Sequence, residues 1–495
     1  MKKIVAILLV CSSFIASAQE INIIPQPFEV KQPVKGTYTL KQTIAWSSNF
    51  PDNEAARAVT SYLAEYLKKY YNIEAVKAKG KKADIVFAST RMPTGGALAY
   101  RLNVSKSGIR IEANFDESAF HAVQSLIQLL PVQQNGTAAV PFVQIFDKAR
   151  FDYRGMHLDV GRHFEPVSFI KKYIDYLALH KINVFHWHLT EDQGWRIEIK
   201  KYPELTSIGS KRNGTIIGRY PGKGNDNKPH DGYYTQEEIK NIVKYADQRG
   251  ILIVPEIDVP GHATAILTAY PEIGSKVVNS NANSLENKTQ TSTVASYSLE
   301  RNSGIFTPTL DPSNPRTYEL LSEIFDEVCP LFSGRYFHIG GDENEGKDWD
   351  ANPKIKAFMK KNKLANNHEL QTYFTMQLIP MLKKHQKELM GWEEIMTKNM
   401  SKEAVIHSWR GPNEGLLSGQ SLVIAAKKSG ELTYCSESIQ NILGYNHVEV
   451  LGMGFWELTE DPEFVGESYH DTYMVDRMYT RKLKCKDGTY KYIQW

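Results

Sequence analysis

From about residue 151 to residue 407, the sequence alternates short apolar stretches of strand type with amphipathic stretches of helix type. The predicted strands are Tyr153–Leu158, Asn183–Leu189, Ile251–Ile257, Tyr336–Ile339, Glu388–Trp392 and Ala404–His407. The predicted helices are Pro166–His180, Thr235–Arg249, Pro315–Cys329 and Leu370–His385. Parallel neighbours in a sheet need a crossover connection, which is usually a helix. The alternation therefore predicts an α/β fold with a parallel sheet.

Polar and aromatic residues collect at the carboxyl ends of these predicted strands. That arrangement is typical of a (β/α)8 barrel of the TIM type, whose functional site lies on one face. The strand count is too low, because only six strands precede Trp409 and a closed barrel needs eight. We therefore expect a barrel over residues 149–420 that lacks its last two strands.

The flanking segments have different patterns. Residues 19–148 predict a small α+β domain without a cluster of reactive side chains. In that domain we expect helices near Asn53–Tyr71 and Ser118–Leu130, and strands at Asp84–Phe87, Tyr100–Val104 and Gly108–Ala113. Residues 421–495 predict a separate segment of short strands and a short helix, with a hairpin turn at Asp487-Gly488.

The amino-terminal residues 1–18 predict a signal peptide. Met1-Lys2-Lys3 is basic, Ile4–Val10 is apolar, and Ala16-Ser17-Ala18 fits a cleavage site of small residues. Lipid attachment at Cys11 is disfavoured, because Val10 is larger than the residue that usually precedes a lipidated cysteine. We expect an exported protein, periplasmic or secreted.

Composition excludes several classes of partner. The formal net charge is only +3 and both signs are dispersed, which argues against nucleic acid and against binding to a charged membrane surface. No later segment is long and apolar enough to span a membrane. Three cysteines remain after the signal, and they do not make a disulfide framework. The sequence does not indicate an oligomeric state.

The most informative motif is His338-Ile339-Gly340-Gly341-Asp342-Glu343. The two glycines allow a tight turn at the end of a predicted buried strand, and two carboxylates follow at once. Adjacent acids in a site of low dielectric repel each other, so their pKa values separate and one can hold a proton near neutral pH. The alternative for this motif alone is a solvated turn.

Further candidate residues lie at the ends of the other predicted strands. They are Arg154, Asp159 and Arg162; His186, His188, Glu191 and Asp192; Glu256, Asp258 and His262; Trp392, Glu393 and Glu394; and Trp409 and Arg410. Aromatic rings beside carboxylates suit a sugar, whose apolar face stacks on indole while its hydroxyls bind charged groups. His-x-His with Glu256 is a weak metal pattern. We expect no metal and no cofactor, with His186 and His188 packed beneath the site and His262 in a polar role.

Together these residues resemble glycoside hydrolase family 20, the β-N-acetylhexosaminidases. The resemblance covers about residues 20–420. It is carried by Tyr153-Arg154-Gly155, Arg162-His163-Phe164, His186-Trp187-His188-Leu189-Thr190, Pro255-Glu256-Ile257-Asp258, Pro260-Gly261-His262, Gly340-Gly341-Asp342-Glu343, Gly391-Trp392-Glu393-Glu394 and Ser408-Trp409-Arg410-Gly411.

The resemblance implies an exo-acting, retaining, substrate-assisted hydrolysis of terminal N-acetylglucosamine or N-acetylgalactosamine from glycans. Glu343 would be the general acid and then the base, and Asp342 would orient the acetamido group that attacks the anomeric carbon. The implied remaining roles are sugar binding by Arg154, pocket walls from Trp392 and Trp409, and a polar network of His262 with Glu191 and Asp192. Which of the two acids contacts His262 stays open.

The family's pattern fails after Trp409. Its usual Tyr-x-Asp and Trp-x-Glu motifs are missing from their expected places. Residues 421–495 instead resemble an incomplete PAS domain, through Gly430-Glu431-Leu432-Thr433-Tyr434, Leu443-Gly444-Tyr445 and Lys486-Asp487-Gly488-Thr489-Tyr490. Two alternatives follow: a catalytically impaired sugar-binding or sensory protein, and a truncated or chimeric reading frame. An open barrel exposes strand edges, so we also expect poor solubility.

Overall fold

The computed structural model describes residues 21–494, apart from 81, 92–97, 133–137, 220, 278–294, 398, 411–423, 427–431, 436–437, 452–457, 459–479 and 489. The predicted signal peptide and Cys11 lie outside the described residues. The chain forms two compact units. The first is drawn from Met1–Leu158, Glu165–His186 and Glu237–Ile253, and the second from Asp159–Phe164, Trp187–Gln236 and Val254–Trp495.

In the first unit, the described residues up to 148 contain a seven-stranded mixed sheet and two helices. Its strands in spatial order are β1 (Glu29–Lys31), β9 (Val143–Asp147), β6 (Tyr100–Ser105), β7 (Gly108–Ala113), β5 (Ile85–Ser89), β3 (Thr43–Ser48) and β4 (Glu74–Lys77). The strands β2 (Thr37–Leu40) and β8 (Ala138–Pro141) form a separate antiparallel pair. The helices are α1 (Glu54–Tyr71) and α2 (Asp116–Leu129). All the strands and helices predicted for residues 19–148 are present.

Local sequence explains these elements. In β6 the buried residues Tyr100, Leu102 and Val104 alternate with exposed ones, as expected for a strand with one covered face. The helix α1 begins where Asn53 caps it, because the side chain of Asn53 accepts a hydrogen bond from the backbone N–H of Ala56 at 2.7 Å.

A second sheet contains six strands, and their spatial order equals their order in the chain. They are β10 (Gly155–Asp159), β11 (Val184–His188), β16 (Leu252–Glu256), β17 (Tyr336–His338), β18 (Glu388–Trp392) and β19 (Val405–His407). The pairs β16–β17, β17–β18 and β18–β19 are parallel. The six predicted strands and their parallel arrangement are confirmed.

Helices connect these strands. They are α3 (Val167–Leu179), α4 (Glu204–Ser207), α5 (Gln236–Asp247), α6 (Thr264–Ala269), α7 (Pro315–Val328), α8 (Lys347–Ala351), α9 (Pro353–Lys361) and α10 (Asn367–Lys383). Two small antiparallel pairs lie in the loops: β12 (Thr190–Glu191) with β13 (Gly194–Trp195), and β14 (Arg212–Asn213) with β15 (Pro229–His230). The four predicted helices correspond to α3, α5, α7 and α10.

In the described part of the chain, this sheet has six strands rather than the eight of a closed barrel. The edge strands β10 and β19 therefore have one described strand neighbour each. On β10 the residues Gly155, Met156 and His157 are exposed, and the side chain of Met156 is 48% exposed.

The carboxy-terminal part of the second unit contains two antiparallel pairs and a short helix. They are β20 (Ile424–Ala426) with β21 (Leu432–Cys435), α11 (Ser438–Leu443), and β22 (Thr480–Lys484) with β23 (Tyr490–Gln494). The predicted turn at Asp487-Gly488 lies between β22 and β23, and Gly488 has a φ of +85° there. The hairpin prediction is confirmed. Within the described residues, no helix has both the length and the apolar character needed to cross a membrane.

Candidate active site

The acid pair Asp342-Glu343 lies just beyond the carboxyl end of β17, and two glycines bring it there. Gly340 and Gly341 have φ values of +66° and +90°, which side chains rarely allow. A Cβ atom on Gly340 would lie 1.8 Å from Oδ1 of Asp258, and one on Gly341 would lie 2.3 Å from a carbon of Ile395. The double glycine is therefore required by close packing as well as by the turn.

His262 connects this acid pair to a second one. Its Nε2 atom is 3.3 Å from Oε2 of Glu343 and 3.7 Å from Oδ2 of Asp342. Its Nδ1 atom is 3.0 Å from Oδ2 of Asp192 and 3.2 Å from Oε1 of Glu191. These distances agree with the polar role predicted for His262. The imidazole contacts both Glu191 and Asp192.

Charge sets the protonation of this group. Burial alone would lower the pKa of His262, but the attraction of Glu191 and hydrogen bonds with Asp192, Glu191 and Glu343 raise that pKa well above its ordinary value. The hydrogen bond from His262 is the main reason why the pKa of Glu343 is lowered. Both pKa directions favour an imidazolium at His262 and an ionised Glu343, whose nearest atoms lie 3.3 Å apart.

The side chain of Asp192 is held in place by Thr264, the first residue of α6. Its Oδ1 atom accepts hydrogen bonds from the backbone N–H of Thr264, at 2.9 Å, and from the hydroxyl of Thr264, at 2.6 Å. Both of its oxygens therefore have donors, and the orientation of His262 follows from that of Asp192. The neighbouring Glu191 is also buried, and burial raises its pKa.

An arginine lies in the same group, and it is Arg162. Its guanidinium is 2.6 Å from Oε1 of Glu191 and 2.6 Å from Oδ2 of Asp159. Burial works to raise the pKa of Asp159, but the charges of His188 and Arg162 together with hydrogen bonds from Arg162 lower it to about 2. Arg162 is one-third exposed, so it can reach a ligand while it holds the two acids.

Arg154 has backbone partners of its own, and the sugar-binding role expected for it stays a prediction. It precedes β10, at the amino end of that strand, whereas the acid pair follows the carboxyl end of β17. Its guanidinium donates to the carbonyl oxygens of Phe151 and Lys181, each at 2.8 Å. A strand of five residues separates its two ends by about 16 Å, and Arg154 precedes β10 whereas Arg162 follows it.

Tryptophans line the next two strand ends. Trp392 ends β18 and donates from its indole nitrogen to Oε1 of the buried Glu256, at 3.0 Å. The ring of Trp409 packs edge-on against Trp392 with centroids 6.2 Å apart, and Trp409 is 49% exposed. The structure thus brings the two predicted wall residues together: Trp392 is the last residue of β18, and Trp409 lies two residues beyond the adjacent strand β19.

Three residues beneath and beside the acids had no assigned role in the sequence. Asp258 accepts a hydrogen bond from the backbone N–H of Gly341 at 3.0 Å, and burial together with the charge of Asp342 raises its pKa well above the ordinary value. Glu393 and Glu394 contact Trp409 and Arg410. Asp258, Glu393 and Glu394 each lie in a motif at the end of a strand. That position is the sequence signal from which a role at the site could have been predicted. His188 is buried, as expected, and contacts the carbonyl oxygen of Thr190.

Three sets of residues in this unit place ligand-type atoms within 4.8 Å of one another. They are His188, Glu191 and Asp258; Glu191, Asp192 and His262; and Asp258, His262 and Asp342. In each set a cation would compete with Arg162 or His262, which already neutralise the carboxylates. The expectation of no metal and no cofactor stays a prediction.

Comparison with known proteins agrees with this geometry. The model of the glycosyl hydrolase family 20 catalytic domain matches residues 151–448, and the model of domain 2 of that family matches residues 20–148. The β-hexosaminidase of Porphyromonas gingivalis is 37% identical over 412 residues, which are 80% of this chain and 48% of the relative. The β-hexosaminidase of Vibrio furnissii is 34% identical over 419 residues, or 84% and 64%. The chain thus spans about half to two thirds of the length of these relatives.

Solved structures show the same similarity. The chitobiase of Flavobacterium johnsoniae has 50% identity and a TM-score of 0.65, over 81% of this chain and 57% of that one. The exo-β-N-acetylglucosaminidase of Vibrio harveyi in complex with N-acetylglucosamine has 32% identity and a TM-score of 0.67, over 80% and 59%. The family model matches more than half of this chain, and the parallel sheet and the acid pair after β17 agree with that match. This chain belongs to glycosyl hydrolase family 20.

Proposed function

We propose that this protein is an exo-acting, retaining β-N-acetylhexosaminidase that removes terminal N-acetylglucosamine or N-acetylgalactosamine from glycans. The observation that carries the proposal is the contact of Glu343 with His262 at 3.3 Å, beside Asp342 and at a strand end lined by tryptophan. The names of the relatives, which are β-hexosaminidases and a chitobiase, support it.

In the proposed mechanism the substrate supplies its own nucleophile. The 2-acetamido oxygen attacks the anomeric carbon while Glu343 protonates the leaving oxygen, which gives an oxazolinium intermediate and releases the rest of the glycan. Asp342 orients the acetamido group and stabilises its developing positive charge. Glu343 then removes a proton from the water that opens the intermediate, and the configuration is retained.

In the proposed mechanism, Glu343 and His262 share one proton, which lies on His262 in the resting site. The imidazolium keeps Glu343 ionised before substrate arrives, which matches the base step. For the acid step, the proton crosses the 3.3 Å contact from His262 to Glu343 as the leaving oxygen approaches. Asp192 and Glu191 hold the imidazole in position during this transfer. Arg162, rather than Arg154, is the proposed sugar-binding arginine.

Hydrolysis of a chromogenic N-acetylglucosaminide by the purified chain tests the proposal. Glu343→Gln should lower kcat by about 100- to 10,000-fold, because it removes a general acid and base. Glu345→Gln is the matched control, since Glu345 lies two residues away with an exposed side chain paired to Lys347. Full activity of Glu343→Gln would show that the acid is assigned to the wrong residue.

A second candidate is a catalytically impaired sugar-binding or sensory protein. The observation in its favour is the sheet, which has six strands in the described part of the chain instead of eight. Two missing strands would remove two walls of a barrel site. Binding of N-acetylglucosamine by calorimetry, with no turnover of the chromogenic substrate, would favour this candidate over the enzyme.

We also propose the domain boundaries and the export of the chain. The proposed divisions are a signal peptide over 1–18, an accessory domain over 19–148, an incomplete barrel over 149–420 and a PAS-like segment over 421–495. Two antiparallel pairs and a short helix support the last division, although the family match reaches residue 448. Amino-terminal sequencing of the protein from a periplasmic fraction tests export, and Gln19 as the first residue is the expected result.

A further inference from the structure

Glu393 is a buried carboxylate whose hydrogen bonds go to two consecutive residues beyond β19. Its side chain is only 2% exposed. Oε2 accepts from the backbone N–H of Trp409 at 2.8 Å. Oε1 accepts from the backbone N–H of Arg410 at 3.0 Å and from its Nε–H at 2.9 Å. A buried charge persists only when it is paired and hydrogen-bonded, and these three donors meet that need.

Trp409, the residue held in this way, has few other contacts with the part of the chain that the structure describes. Trp409 is 49% exposed, so burial in a core does not fix it. The strand before it, β19, has only three residues, none of them fully buried. Its indole nitrogen lies 3.2 Å from each carboxylate oxygen of Glu394. Two adjacent glutamates therefore hold one tryptophan, Glu393 by its backbone and Glu394 by its ring.

The two glutamates differ in electrostatic state. Hydrogen bonds from Arg410 and from the backbone of Trp409 outweigh burial and lower the pKa of Glu393. Burial raises the pKa of Glu394, and the nearby charge of Asp342 adds to this. The pKa shifts therefore favour the charged form more at Glu393 than at Glu394, and the carboxylate of Glu393 accepts from the backbone of Trp409 and Arg410.

We propose that Glu393 is a positioning residue that holds Trp409 against Trp392 as the stacking wall for the sugar. The proposal rests on the proposed function, because the sugar is the ligand that the indole would contact. Glu393 acts through Trp409 and does not itself touch the substrate. Loss of its hydrogen bonds leaves the indole held through Glu394, so the ring is less well positioned and sugar binding weakens while the chemistry at Glu343 continues.

The kinetic test is a double-mutant cycle that combines Glu393→Gln with Trp409→Ala in the full chain. Glutamine has the same size, but it has one acceptor oxygen and puts an N–H₂ group toward the donors. Glu393→Gln should raise KM about tenfold and change kcat less than threefold. Trp409→Ala should do the same or more, and the double variant should equal Trp409→Ala within about twofold, because the two changes remove one interaction.

Glu388→Gln is the matched control. Glu388 lies on the same strand as Trp392, at its other end, in an exposed pair with Arg335 at 2.5 Å. This variant should keep KM within about twofold, because exposed ion pairs contribute little. Multiplicative effects of Glu393→Gln and Trp409→Ala, or a fall in kcat with KM unchanged, would overturn the proposal.

Hydrogen exchange supplies a readout that needs no turnover. The backbone amides of Trp409 and Arg410 both donate to Glu393, so Glu393→Gln should speed their exchange about tenfold while the amides of β17 are unaffected. Unchanged exchange at these two amides would overturn the positioning role even in an inactive protein. Faster exchange with no turnover by the unaltered chain would instead count against the proposed enzyme alone.

Discussion

The Nε2 atom of His262 lies 3.3 Å from Oε2 of Glu343, and this contact is the main cause of the lowered pKa of Glu343. His262 has a φ of +46°, in the left-handed region that residues with side chains seldom adopt. Backbone strain at such a position is commonly found where geometry serves a site. The proposed proton transfer depends on this contact.

Replacing His262 by glutamine should therefore change the pH dependence. A carboxyl with a lowered pKa stays ionised to lower pH, and without the imidazolium the pKa of Glu343 rises. As the pH falls, Glu343 is then protonated earlier and the base step is lost at a higher pH. The acidic limb of the pH profile of kcat therefore moves to higher pH. An N-acetylglucosaminide whose leaving group needs no protonation isolates this step, and His368→Gln, on the exposed side of α10, is the control. An acidic limb that stays in place would argue against the coupling.

The two arginines should behave differently. Arg162→Gln removes the guanidinium that is proposed to bind the sugar, and it leaves Glu191 and Asp159 without the cation that lies 2.6 Å from both. KM should therefore rise by more than about tenfold. Arg154→Gln loses hydrogen bonds to two carbonyl oxygens at the other end of β10 and should lower the melting temperature with KM nearly unchanged. Steady-state kinetics and thermal melts of both variants check this. The reverse result would restore the sugar-binding role to Arg154.

Gly340→Ala should destabilise the protein by more than about 3 kcal/mol, because overpacking adds to a strained backbone. The new Cβ atom would lie 1.8 Å from Oδ1 of Asp258, which must then move away from the backbone N–H of Gly341. Gly80→Ala is the control, since no atom lies within 4 Å of the position that its new methyl group would take, and its φ is ordinary. Urea unfolding measures both, and equal midpoints would contradict the packing explanation.

The exposed edge of the six-stranded sheet should limit solubility. Met156 on β10 is 48% exposed, and charged residues at strand edges oppose pairing with other chains. Met156→Lys should reduce light scattering of concentrated protein. Met376→Lys adds the same charge on the helix α10, where no strand edge is present, and should have little effect. Equal improvement by both would mean that net charge, not the edge, controls solubility.

Local patterns in the sequence were sufficient for much of the architecture. The central strands are buried on both faces and appear in the sequence as short apolar runs between amphipathic helices. The six strands β10, β11, β16, β17, β18 and β19 could therefore be found without knowledge of their neighbours. The position of Asp342-Glu343 at a strand end also followed, because Gly340-Gly341 interrupts the strand pattern at once.

Tertiary structure decided which side chains meet. Arg154 and Arg162 flank the same strand, and only the direction of β10 shows that Arg162 is at the end near Glu191. The choice between Glu191 and Asp192 had no answer in the sequence, because both lie within 3.2 Å of one nitrogen of His262. Distances between residues 70 positions apart depend on turns, rotamers and charge balance together, and no local period encodes them.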